Sequence, residues 1–325
     1  MLKFLQRLVL AISGIALCAA AAAQPYPSRP ITLVVPFSAG GGVDSTARIV
    51  AQKLAEIFKQ PVVVDNVAGV AGTIGTTKVT GSKPDGYTLL FAVASPINVA
   101  PVSTPTVVRY DAFKDLTPVS TVASAPFVLI GRPTLKAANM AELIALARAE
   151  PGKLNFGTDG IGGSLHIAGE LVNLKAGIKL VHVAYKSGPQ VLTDVSAGHV
   201  DLGILPLTLA QPFIKDGKVK AYGVTSKARW PTVPDVPAMS ETPALAGFEI
   251  DSWLGVLAPA GLDPAIVATL SRALQDAVAD ADVTKKLNDV ATRPLVIQGA
   301  AFGDYLRRER ELIKDVVQKS NIKVE

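Results

Sequence analysis

Cysteine is nearly absent from this 325-residue chain: Cys18 stands alone, inside an apolar N-terminal stretch. Once that stretch is removed the protein has no thiol. That excludes a disulfide framework, a cysteine nucleophile and a thiolate metal site. Histidine is scarce as well, with three copies. His166 and Glu170 have the spacing of two ligands on one helix face, but the local sequence offers no third, so ordinary packing is the better reading and no metal is expected. His182 and His199 lie beside apolar strands and read as structural. After the first residues there is no apolar run long enough to span a bilayer. A strong charge of one sign is missing too. Without Lys3 and Arg7, 30 basic side chains face 27 acidic ones, a net of +3, and the basic residues are scattered. Such a chain is not built for nucleic acid. There is no Gly-Lys-Ser/Thr phosphate loop and no dinucleotide fingerprint. Gly162-Gly163-Ser164-Leu165-His166 lacks the closing glycine of a nucleophile elbow and has no evident acidic orienter, so no catalytic residue is assigned.

What is present starts with a secretory leader over residues 1–23. Lys3 and Arg7 supply its positive start and Leu8 to Leu17 its apolar stretch. Ala21-Ala22-Ala23 supplies small residues for cleavage before Gln24. Leu17 ahead of Cys18 argues against lipid attachment. The mature chain is expected in the periplasm, and its roughly 300 residues suffice for a core divided between two domains.

Strand-like and helix-like segments alternate along most of the length, the pattern of an α/β protein with largely parallel sheets. Residues 31–35, 61–64, 87–91, 127–130, 153–156, 200–205, 219–225 and 253–257 read as strands. Asn139 with Glu142 resembles a capping box opening a helix through Arg148. Residues 189–197 read as a helix closed by Gly198, and Asp263-Pro264 as a capped helix start. After Trp230 four prolines mark a long ordered loop.

The most informative segment is residues 36–44, Pro-Phe-Ser-Ala-Gly-Gly-Gly-Val-Asp. It joins the first strand to a helix whose apolar face carries Ala47, Val50, Ala51, Leu54 and Ile57. Glycines there leave backbone N–H groups uncovered, and the helix start adds unpaired N–H groups and the positive end of its dipole. The segment is either a tight turn or an anion site. A second glycine-rich turn, residues 69–75, follows the second strand. The same device returns at residues 157–164 after another strand. Two such turns facing one another across a cleft would clamp a small anion from both sides.

An ordered set of motifs spans essentially the whole mature chain. It comprises residues 26–31 (Tyr-Pro-Ser-Arg-Pro-Ile), residues 35–44, Asn66, residues 83–90 (Lys-Pro-Asp-Gly-Tyr-Thr-Leu-Leu), residues 162–170, residues 234–237 (Pro-Asp-Val-Pro) and residues 253–259 (Trp-Leu-Gly-Val-Leu-Ala-Pro). Together they closely resemble the substrate-binding receptors of tripartite tricarboxylate transporters, the Bug-type receptors. The resemblance implies a type II periplasmic-binding-protein fold, two α/β domains around a ligand cleft. Residues 24–124 plus 229–325 would form the first domain and residues 125–228 the second, with crossings near Ala123–Ala125 and Lys227–Trp230. It implies a monomer without cofactor that binds a small carboxylate, namely a dicarboxylate, an amino acid or an aromatic acid, and delivers it to integral membrane transporter subunits. Some relatives serve a sensor kinase instead, and an exported hydrolase or transferase using the same cleft is the rival of another class.

The ligand-contacting set carried over or read from position is Phe37, Ser38, Ala39, Gly40, Gly41 and Asp44 on the first loop, with Ala71 and Ser95 nearby. On the other side it is Thr158, Asp159, Ser164, Tyr185 and Asp201. Asp44 reads equally as a ligand acceptor or as an acid stabilising the helix dipole. Three positions depart from the family pattern. Val67-Ala68 stand where Arg-Pro is frequent, which removes a cation near the site. Ala238 replaces a frequent threonine, with consequences expected only for its loop. Asp159 replaces a small neutral residue and would oppose a second ligand carboxylate, favouring an amino, amide or hydroxyl group. It reads alternatively as a turn aspartate bonded to nearby backbone.

Overall fold

Buried apolar residues on β1 (Ile31–Val35) alternate between two faces. Ile31, Leu33 and Val35 join one hydrophobic cluster and Val34 another. A strand covered on both faces belongs inside a parallel sheet, where crossover helices supply the cover. In this computed structural model, which describes residues 26–320 and 322, that is its place. The leader expected over residues 1–23 lies outside the described residues. Strand β1 pairs parallel with β2 (Val62–Asn66) and β3 (Thr88–Ala92). The crossovers are α1 (Gly42–Phe58) and α2 (Thr73–Thr80). Ala47, Val50, Ala51 and Leu54 of α1 pack on the β1 face that carries Leu33.

The chain then runs through β4 (Leu116–Ala125) into a second sheet. This holds β5 (Phe127–Gly131), β6 (Asn155–Thr158), β7 (Val181–Ala184), β8 (Leu202–Pro206) and β9 (Lys220–Val224). Its helices are α3 (Met140–Ala149), α4 (Ser164–Ala176), α5 (Gly188–Ala197) and α6 (Leu207–Lys215). Asn139 caps α3 as expected, its Oδ1 accepting the Glu142 N–H at 3.0 Å, while Glu142 reaches back to the N–H of Ala138 at 2.8 Å. The chain returns through β10 (Ser252–Pro259) and closes with α7 (Pro264–Ala279), α8 (Ala281–Asp289), β11 (Arg293–Pro294) and α9 (Gly299–Lys319). Among the described residues no helix is long and apolar enough to cross a membrane.

The first sheet has the order β11-β4-β10-β3-β1-β2 and the second β7-β6-β8-β5-β9. In each, three parallel strands in the order 2-1-3 are flanked by one antiparallel strand, β10 or β5, that enters from the other sheet. This is the type II arrangement, two α/β units of like topology. The two connections run side by side, since β10 pairs antiparallel with β4 and sets Ser252 opposite Ala125. Thr225 ties them together. Its N–H donates to Phe127 O at 3.0 Å, its carbonyl accepts from Ile250 N–H at 3.2 Å, and its hydroxyl reaches Asp251 Oδ1 at 3.2 Å.

Two elements went unread and one expectation is corrected. Strand β4, which the sequence reading left unassigned, is hard to recognise because serines, threonines and a proline break its apolar pattern. Helix α6 went unseen because it starts directly at the end of β8 and contains Pro212. The proline-rich segment does not leave the second unit at Lys227–Trp230. Trp230, Val233, Val236 and Ala238 are buried in the cluster that holds Val128 and Ile130 of β5, and Val224 N–H bonds Pro237 O. The second crossing therefore falls near Asp251.

Candidate functional site

Because β1, β2 and β3 are parallel, their C-terminal ends share one edge, and three loops emerge there together. Ser38, Ala39, Gly40, Gly41 and Gly42 are exposed in the first. Gly40 has φ +84°, a left-handed conformation suited to glycine, and Gly41 precedes α1 as an N-cap without a side-chain bond. Among the described residues no hydrogen bond uses the N–H groups of Ser38, Ala39 or Gly41. They remain available to an anion, at the positive end of α1.

One buried acid holds this loop open. Asp44 Oδ2 accepts from the Gly40 N–H at 2.8 Å and from Arg48 Nε at 3.0 Å, and Oδ1 accepts from Asn66 Nδ2 at 2.9 Å. Asn66 also donates to Phe37 O at 3.1 Å and accepts from Arg48 Nη2 at 3.0 Å. Burial would raise the Asp44 pKa, but the Arg48, Gly40 and Asn66 donors outweigh it and hold the carboxyl below its ordinary value. Asp44 thus spends both oxygens on its own loop. Asn66 and Arg48 were not in the expected set. An asparagine ending a strand just before a glycine turn was the available signal.

The second turn reaches the same edge. Ala71 has φ +53° and its carbonyl accepts the Ser95 hydroxyl at 3.1 Å, so these two expected residues do meet. Helix α2 rests directly on the first loop: a Cβ on Gly75 would lie 2.8 Å from Val67 O and 2.9 Å from Pro36 Cα. Both are backbone atoms that cannot rotate away. Gly75→Ala is expected to push α2 off Pro36, costing about 1–3 kcal/mol and weakening ligand capture with it. Urea denaturation and a ligand titration check this, and an unchanged midpoint with unchanged affinity would contradict it.

In the second unit β6, β7 and β8 are parallel and end at Thr158, Ala184 and Pro206. The loop after β6 repeats the design of the first. The Gly162 N–H donates to His166 Nδ1 at 3.0 Å, four residues on in the first turn of α4, as Gly40 does to Asp44. His166 therefore carries its proton on Nε2, which faces Glu170 Oε1 at 3.7 Å. Its ring stacks on His182 with centroids 3.7 Å apart, and Phe156 packs against both. Burial, with His166 next, pushes the His182 pKa down to about 4, which keeps it neutral. Thr158 Oγ1 accepts from His182 Nε2 at 2.6 Å and donates to Gly160 O at 3.0 Å. The Thr158 side chain is buried beneath the loop, not presented to a ligand. Ser164 opens α4 and shares a small cavity with Ala94 and Val99 of the first unit, so the two glycine-rich edges adjoin.

Tyr185 follows β7 at this edge. Its ring lies against Gly157 and its hydroxyl donates to Asp194 Oδ2 at 2.8 Å. Asp201 does not belong to the site. It precedes β8 and therefore sits at the opposite end of the sheet, where Oδ1 accepts from Arg132 Nε at 2.9 Å and Oδ2 from the Asn155 N–H at 3.1 Å. Asp159 is exposed in the second loop, and the protein around it raises its pKa by withdrawing it from water. Among the described residues no three metal-ligating side chains gather.

Two α/β units joined by adjacent strands, with glycine-rich strand-to-helix turns on adjoining edges, define a solute-binding protein of the periplasmic type. The family described as tripartite tricarboxylate transporter family receptor matches residues 46–322, and this chain belongs to it. It is 32% identical to Protein BugT of Bordetella pertussis over 97% of this chain and 98% of BugT. Among solved structures it is similar to R. palustris Rpa4515 with adipate, at TM-score 0.79 and 30% identity, covering 92% of this chain and 99% of that one. It is also similar to MatC from Rhodopseudomonas palustris with bound malate, at TM-score 0.73 and 29% identity, covering 90% and 100%.

Proposed function

We propose that this protein, exported and cleaved after Ala23, is a periplasmic receptor that captures a small carboxylate between residues 37–41 and residues 158–164. It then hands that carboxylate to the integral membrane subunits of a tripartite carrier. The observation that carries this reading is the recurrence of two helix-start loops, each pinned by an acceptor four residues on. Adipate and malate in the related structures support a carboxylate as the ligand class. The protein acts as a monomer, without a cofactor and without a covalent step. The first lobe comprises the chain up to Ala125 together with the segment after Asp251, and the second lobe what lies between.

Capture proceeds by closure of the lobes, with ligand contacts favouring the closed state over the open one. Four or five hydrogen bonds to a carboxylate, at ~1.5–3 kcal/mol each before entropy costs, account for micromolar binding near about −8 kcal/mol. Direct contacts come from the backbone of residues 37–41 with Ala71 and Ser95, and across the cleft from Asp159 and Ser164. Asp44, Thr158 and Tyr185 act by holding the loops in place.

A thermal-shift screen of the mature chain, unfolded and refolded to strip any carried-over ligand, tests the reading. The panel holds mono-, di- and tricarboxylates, amino acids and aromatic acids. At 100 times Kd a ligand adds about 2.7 kcal/mol, which raises the Tm of a chain this size by several degrees. One carboxylate class is expected to do so. No shift with any carboxylate, together with turnover of an ester, amide or phosphoester, would replace the receptor with an enzyme.

A further inference from the structure

Four segments at the two edges are residues 36–44, 69–75, 94–99 and 158–164, and the loop after β7, with Tyr185 and Lys186, borders them. The four segments contain no lysine and no arginine, and their only charged side chains are Asp44 and Asp159. Asp44 is neutralised within its own lobe by Arg48 and two further donors. Asp159 differs. Among the described residues its carboxylate forms no ion pair and takes no hydrogen bond from another residue, only one from its own backbone N–H, whereas Asp85 pairs with Arg29 at 2.9 Å and Asp201 with Arg132 at 2.9 Å. Partial loss of water raises its pKa, the bond from its own backbone N–H offsetting this only in part. The cleft therefore combines backbone donors for one carboxylate with one uncompensated negative charge. A ligand with two carboxylates would add like charge beside Asp159 in a site of reduced dielectric, whereas an ammonium group would complete it. Lys186 is a cation on the neighbouring loop, two residues past Ala184, which pairs with Thr158.

We propose that Asp159 is the specificity-determining residue of this receptor, and that it selects an amino carboxylate, a ligand carrying one carboxylate and one ammonium group, over a dicarboxylate. This rests on the receptor reading above. The rims suit a ligand with a hydrocarbon body, since Ile161 on the second loop and Val70 and Ile74 on the first lobe are 52%, 51% and 49% exposed.

The test is calorimetric titration of the refolded mature chain with the twenty α-amino acids, β-alanine and 4-aminobutyrate. Each is matched by its deaminated analogue and by a dicarboxylate of equal length. The best amino carboxylate is expected to bind at least tenfold tighter than both of its partners, a difference of about 1.4 kcal/mol. Asp159→Asn is expected to shrink that preference below threefold. Asp159→Ser serves as a second variant, and neither should lower the melting temperature of the unliganded protein, because the carboxylate they remove has no cation partner. Two outcomes overturn the proposal and leave the receptor standing. One is a dicarboxylate or deaminated acid that binds the unmodified protein as tightly as any amino carboxylate. The other is a preference that survives in both Asp159 variants. Dicarboxylate binding abolished by Lys186→Ala would assign the charge selection to that lysine and also overturns it. Absence of binding by every carboxylate removes the receptor reading itself.

Discussion

Asp44→Ala is expected to weaken carboxylate binding about a hundredfold and to destabilise the first lobe by about 2–4 kcal/mol. The affinity loss follows from what the carboxylate does in the free protein. It fixes the Gly40 N–H and, through Asn66, the Phe37 carbonyl, so the loop is already in its binding conformation. Without it at least two loop residues must be ordered on binding, at ~1–2 kcal/mol each, and about 2.7 kcal/mol is a hundredfold in Kd. The stability loss follows from three hydrogen bonds to a charged acceptor, at ~1.5–3 kcal/mol each, partly recovered as the exposed Arg48 and Gly40 regain water. Asp44→Asn is nearly as harmful, because its amide N–H₂ then confronts either Asn66 Nδ2 or the Gly40 and Arg48 pair, all of them donors. Arg48→Met should cost far less, since its guanidinium is exposed and Asn66 and Gly40 still hold the carboxylate. Calorimetry with the ligand found by the screen and urea denaturation measure both quantities. Normal affinity in Asp44→Ala would mean that the glycine loop holds its shape without this acid.

Glu309→Ala is expected to cost about 3 kcal/mol or more, the largest stability effect of any single polar change considered. Glu309 projects from α9 between two buried donors. Trp253 Nε1 lies 3.0 and 2.8 Å from its two oxygens, and Asn98 Nδ2 donates to Oε2. Trp253 is fully buried against Phe302, so its indole N–H has no water to turn to when the acceptor goes. A buried donor left unpaired costs its full desolvation penalty, and a cavity adds to it. Asn98 belongs to the turn that begins at Ser95, so the same variant should also weaken ligand binding.

Burial pushes the Glu309 pKa up to about 7 although Trp253, Asn98 and Arg310 pull it down. A carboxyl with a raised folded-state pKa binds more protons folded than unfolded. Its contribution is fully present below the ordinary carboxylate pKa and is lost as pH rises through 7. Asp251, raised to about 6 by burial, has the same sign at lower pH. His182, lowered to about 4, has the opposite sign, its contribution disappearing as pH falls from 6.5 to 4. From pH 6.5 to 8 Glu309 is the largest of these three contributions, the end of the His182 titration opposing it. Stability should decline across that interval, and Glu309→Gln should flatten the decline. A decline that persists in Glu309→Gln would assign it to another group.

The alternation of strands and helices, the glycine turns and the Asn139 cap were legible because each depends on residues close together in sequence. Strand β4 was not. Its partner β10 lies far along the chain, and side chains such as Ser120, Thr121 and Ser124 are buried through that pairing. The proline-rich segment read as a loop, yet Trp230, Val233 and Val236 recur every third residue and bury against β5. Asp201 read as a site residue because it adjoins a strand. In parallel strands the ligand edge is the C-terminal one, and Asp201 stands at the other.

By itself the sequence determined that no thiol follows Cys18, that helix starts rich in glycine recur in two parts of the chain, and which family it belongs to. The tertiary structure decided which of the acids singled out are met by donors from elsewhere in the chain and which is not. Asp44 meets its asparagine from 22 residues away and Asp201 its arginine from 69. Asp159 meets no such donor. A carboxylate is neutralised by whatever the fold brings within hydrogen-bonding distance, and that distance is not written in the spacing along the chain.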